Sequence, residues 1–122
     1  MNLKSERMLQ KNNVFLLSRI AEARRLHLAG NPSRAKALAA GALAEQPDAI
    51  EALEVLALIE MEHGDLAESV RLLRRIARKL PANAETRYNL ALALRYTGRL
   101  QAAVDGFRQA LKLKPQLKRA RN

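Results

Sequence analysis

A chain of 122 residues has room for one compact unit or a short stack of repeated ones, and 48% apolar residues exclude a disordered polymer. With no cysteine there is no disulfide, thiolate metal site or cysteine nucleophile, and an apolar fraction of Ala and Leu with few aromatics points to an all-α chain. The formal charge of +10 invites an anionic partner, yet its layout is basic–acidic–basic: from Ala37 to Val70 stand eight acids and no Lys or Arg.

In chain order, residues 1–15 read as an N-terminal extension, either a helix that extends or caps the first repeat through Met8, Leu9, Val14 and Phe15 or a frayed tail. The cluster Val14 to Leu17 is too short for a signal-peptide core, and no run approaches a membrane span, so a cytoplasmic setting is expected. Next comes punctuation at a fixed interval. Gly30, Gly64 and Gly98 are 34 residues apart, and so are Pro47, Pro81 and Pro115. Apolar spacing predicts first helices over 16–29, 50–63 and 84–97, each ending at a glycine that accepts the left-handed backbone past a helix end. Second helices are predicted over 32–46, 66–80 and 100–114, each ended by proline. Asn31-Pro32 reads as a cap with proline at the first helical position, and Asp48 with Glu51, then Asp65 with Glu68, as capping boxes. Small residues keep the same step: Ala23, Ala57 and Ala91; Ala35, Ser69 and Ala103; Ala42, Ile76 and Ala110. Helices approach closely only where crossing residues are small, so these columns predict stacked antiparallel hairpins that cannot bury their faces singly.

This pattern resembles the tetratricopeptide repeat. The third copy matches best, through Asn89-Leu90-Ala91, Leu94, Gly98, Ala103, Phe107, Ala110, Leu111 and Pro115. The second matches through Leu53, Leu56-Ala57, Gly64, Leu66, Ser69, Leu73, Ile76 and Pro81. The first is degenerate and has Glu22 where the pattern wants Leu. Repeats are expected over 16–49, 50–83 and 84–117, with 118–122 either a basic tail or the opening of a fourth that stops before its Leu and Ala positions. The resemblance implies an α-α superhelix whose first helices line a concave groove. The groove positions are Leu17, Ile20, Arg24, His27 and Leu28; Glu51, Glu54, Leu58, Met61 and Glu62; and Glu85, Tyr88, Leu92, Arg95 and Tyr96.

From these residues the expected function is a protein-interaction scaffold holding a peptide or helix in that groove, centred on Leu58, Met61, Tyr88, Leu92 and Tyr96. Leu17, Ile20, Arg24, Glu51, Glu54, Glu85 and Arg95 line it, and its acids argue against clamping a chaperone's C-terminal carboxylate. No catalytic constellation, cofactor motif or metal-ligand spacing is present, and His27 and His63 read as helix-surface residues. The run Arg71, Arg74, Arg75, Arg78 and Lys79 reads first as a solvated helix face. As an alternative it makes an electrostatic binder of nucleic acid or an anionic surface, weak and non-specific because no aromatics interleave it. A further alternative is a structural fragment of a larger transferase-type protein, self-associating as a homo-oligomer through an uncapped third repeat.

Overall fold

The computed structural model describes residues 2–117, apart from the side chains of 8–12. The packing expected of Met8 and Leu9, and the opening of a fourth repeat over 118–122, lie outside the described residues. Among the described residues six helices follow one another: α1 (Leu3–Leu28), α2 (Pro32–Glu45), α3 (Ile50–His63), α4 (Leu66–Lys79), α5 (Ala84–Tyr96) and α6 (Leu100–Leu113). No strand occurs among the described residues, and no helix there is long and apolar enough to cross a membrane. The chain divides into two compact units, residues 1–56 and 57–122, with the boundary inside α3.

Five predicted helices begin where expected and end within a residue or so of expectation. The exception is α1, which starts at Leu3, where the Asn2 side chain accepts from the Ser5 amide at 2.8 Å. Residues 3–15 therefore continue the first helix without a break.

In the first unit α1 packs on α2; in the second α4 packs on α5 and α5 on α6. The small-residue columns mark these crossings. All nine positions named above are at most 2% exposed. Ser69 adds a bond across its crossing, its hydroxyl donating to the Ala57 carbonyl at 2.8 Å. A further small residue joins them: a Cβ on Gly106 of α6 would lie 3.0 Å from the Ala91 Cβ of α5.

The turns repeat as faithfully. After each second helix, Gln46, Leu80 and Lys114 donate their amides to Ala42, Ile76 and Ala110, and Ala49, Asn83 and Leu117 donate to Gln46, Leu80 and Lys114. Proline at the intervening position cannot extend the helix, so the chain folds back at once. At Gly30 and Gly98, both at φ 84°, a Schellman closure forms: the Asn31 and Arg99 amides reach the carbonyls of Leu26 and Leu94 at 2.9 Å.

Gly64 departs from the expected left-handed backbone. The residue one period from Leu26 and Leu94 is Glu60, 4% exposed, and its carboxylate takes the Asp65 amide at 3.0 Å. The same donor is satisfied by a side chain in place of a carbonyl. Glycine is needed there for room, since a Cβ would stand 2.7 Å from that Glu60 oxygen.

Caps were legible in part. Asp65 accepts from the Ala67 and Glu68 amides, and Asn31 from Arg34. Asp48 sits one place too early, because α3 opens at Ile50 and Ala49 holds the capping position. Asn83, which the sequence reading passed over, caps α5 by accepting from both the amide and hydroxyl of buried Thr86.

Candidate functional site

In the first unit Ile20 belongs to the core, while Leu17 and Arg24 on α1 and Glu51 on α3 lie open. A cleft of about 380 Å³ is walled by Leu17, Ile20, Ile50 and Glu51, with Asn13 and Asp48 at its edge. Beside it Arg24 and the half-buried Glu54 form an ion pair at 3.8 Å. Burial pushes the Glu54 carboxyl above the ordinary carboxylate range; Arg24 offsets part of that and the Glu51 charge adds to it. Because the folded state binds the proton more tightly, Glu54 weakens the fold as pH rises through that window and does nothing below it.

In the second unit Leu58 and Met61, at the end of α3, are half-buried, as are Tyr88 and Leu92 on α5. Tyr88 is committed to packing: its ring meets Phe107 of α6 edge-on, centroids 5.1 Å apart, and it covers the cluster of Ala84, Ala110 and Leu117. Tyr96, the last residue of α5, is 53% exposed. The Arg95 guanidinium lies 5.4 Å from its ring centroid, within cation–π range. Glu85 pairs with Lys114 at 3.8 Å, so its charge is partly met within the unit.

A second cleft in this unit, about 340 Å³, is lined by Ala67, Val70, Arg71, Arg74, Arg78, Thr97 and Arg99. The α4 arginines were visible as a 3–4 spaced run. Arg99 was not, since only the fold carries the start of α6 to the side of α4. Its sequence signal is that a cation holds a capping position, where Asn2, Asn31, Asp65 and Asn83 open four other helices.

Neither cleft holds a nucleophile with a base at hydrogen-bond distance or a phosphate loop, and both are lined by apolar, polar and charged side chains.

Comparison with known proteins agrees. Among solved structures, a mutant O-GlcNAc transferase of Thermobaculum terrenum is 26% identical with a TM-score of 0.80 over 84% of this chain and 20% of that one. MamA AMB-1 is 30% identical with a TM-score of 0.72, over 80% of this chain and 54% of its own. MamA MSR-1 is 29% identical at 0.74, over 83% and 58%. The chain thus spans only part of the length of each. No curated protein matches by sequence. The model of the Tetratricopeptide repeat family matches residues 20–84 and, overlapping, 56–118. With the period, the buried columns and the repeated turns already in place, that match decides the matter: the chain belongs to the tetratricopeptide-repeat family, an all-α solenoid of helical hairpins suited to scaffolding.

Proposed function

We propose that the chain is a non-catalytic binding module that holds a peptide or helix of another protein against the first helices of its hairpins. The observation that carries this is Tyr96, a large aromatic left more than half exposed at the end of α5 with Arg95 stacked on it. Aromatic and arginine side chains give much contact area at small entropic cost and dominate interface energetics. Leu92, Leu58 and Met61 in the same unit extend the apolar surface, and Leu17, Arg24, Glu51 and Glu54 offer a mixed surface in the first unit. Family membership supports the same reading.

The test is a pull-down from nuclease-treated lysate with wild type and the Arg95→Ala/Tyr96→Ala variant. Tyr88 is left intact because its ring supports the α5–α6 packing. Proteins held by wild type and lost by the variant, at equal helicity, are the expected result; identical retention by both baits overturns the assignment of this face.

A second reading rests on α6, where Leu100 and Val104, one turn apart on one face, are 62% and 42% exposed. Such an apolar face is suited to self-association, or to docking on a further part of a larger protein as the repeats of the transferase relative are part of a longer chain. Sedimentation mass that rises with concentration, and falls to the monomer value in Val104→Glu, supports it; constant mass across concentration removes self-association.

A further inference from the structure

We infer that the arginine cleft of the second unit is a separate docking site for an acidic peptide segment that carries apolar residues between its carboxylates. The cleft is independent of the first-helix face and stands on its own geometry. Arg71 is already held by Glu68, its Nε donating at 2.9 Å. The guanidinium groups of Arg74, Arg78 and Arg99 make no hydrogen bond or ion pair with any described residue. Three cationic forks thus face one cleft with their donors free.

Geometry and wall chemistry choose the occupant. Arg74 and Arg78 are one helical turn apart, about 5–6 Å on the helix surface. Alternate residues of an extended peptide point to one side about 6–7 Å apart, so two carboxylates can meet the two guanidinium groups, and Arg99 takes a third from the opposite wall. Ala67 and Val70 contribute an apolar strip to the lining, and the Thr97 hydroxyl there donates to the Leu94 carbonyl at 2.8 Å. A bare phosphate chain gains nothing from that strip, and single-stranded nucleic acid finds no aromatic ring in the cleft to stack on. In a second copy of this chain four of the carboxylates are already engaged. Arg19 holds Glu45, Arg24 holds Glu54, Arg71 holds Glu68, and Glu60 is buried against the Asp65 amide.

The experiment uses a fluorescein-labelled peptide of alternating Glu and Leu, read by anisotropy against the full chain. The Arg74→Gln/Arg78→Gln/Arg99→Gln variant is expected to weaken binding roughly tenfold or more, with helicity unchanged. Arg7→Gln/Arg34→Gln/Arg108→Gln, which removes the same charge elsewhere, is expected to stay within about twofold. Arg95→Ala/Tyr96→Ala is expected to bind as wild type does, which separates this site from the first-helix face. No binding of the peptide, equal loss in the two triple variants, or equal binding of a Gln-for-Glu peptide overturns the proposal. Tighter arginine-dependent binding of inorganic polyphosphate or of an oligonucleotide also overturns it, and makes the cleft a phosphate site.

Discussion

Gly41 and Gly106 both lie inside helices, where glycine is less favourable than alanine by roughly 0.5–1 kcal/mol because its unfolded backbone is freer. Their surroundings differ. A Cβ at Gly41 meets nothing within 4 Å, whereas one at Gly106 meets Ala91 at 3.0 Å. Gly41→Ala should therefore raise stability by roughly 0.5–1 kcal/mol, and Gly106→Ala should lower it by about 1 kcal/mol, as urea denaturation would read. Gly64 is a third case, coupled to a neighbour. In the wild type Gly64→Ala displaces the Glu60 carboxylate from the Asp65 amide and should cost about 1–2 kcal/mol. In a Glu60→Ala background the obstructing oxygen is gone and the same substitution should cost well under half as much; a double-mutant cycle measures the difference. The signal was present in the sequence. Glu60 interrupts a column otherwise Leu26 and Leu94, but a lone acid in an acid-rich stretch reads as solvated surface until its burial is seen.

At the scale of the helix, position and capping explain most of the regularity, and two caps test it in opposite directions. Asn83 satisfies the Thr86 amide and hydroxyl at the start of α5, so Asn83→Ala should cost about 1 kcal/mol. Arg99 holds the capping position of α6 without a side-chain cap bond and places a positive charge at the positive end of the helix. Arg99→Asp should raise stability by up to about 1 kcal/mol while weakening acidic-peptide binding. Gain of stability with loss of binding is what separates a residue kept for recognition from one kept for folding; loss of both would make Arg99 structural. First-helix face positions were readable from period and resemblance. Which of them lie open was not. Ile20 turns into the core and Tyr88 leans on Phe107, while Leu17 and Tyr96 face solvent, because a neighbouring helix supplies the surface that covers each.

For the molecule as a whole, the buried small-residue columns set how closely the helices cross, while side chains such as Leu53, Leu72, Leu73 and Ile76 fill the core. Ala23 belongs to the first unit and Ala91 to the second, and each is fully buried at a helix crossing. Leucine at either should push its helices apart and cost about 1–3 kcal/mol. Because the two positions lie in separate units, the costs should add within about 0.5 kcal/mol in the double variant. A strong departure from additivity, measured by chemical denaturation, would mean that strain spreads through the entire array.

By itself the sequence determined what depends on local chemistry and on repetition. A left-handed glycine, a proline without an amide and a small side chain at a crossing act within a few residues, and their recurrence every 34 residues made the helices, turns and fold class legible. Tertiary structure alone decided what depends on residues meeting from different helices. Burial of Glu60 depends on that, as do the Tyr88–Phe107 contact, the Gly106–Ala91 approach and the meeting of Arg99 with Arg74 and Arg78. The reason is physical: a side chain's solvation and partners belong to the space around it, and that space exists only once the hairpins have packed.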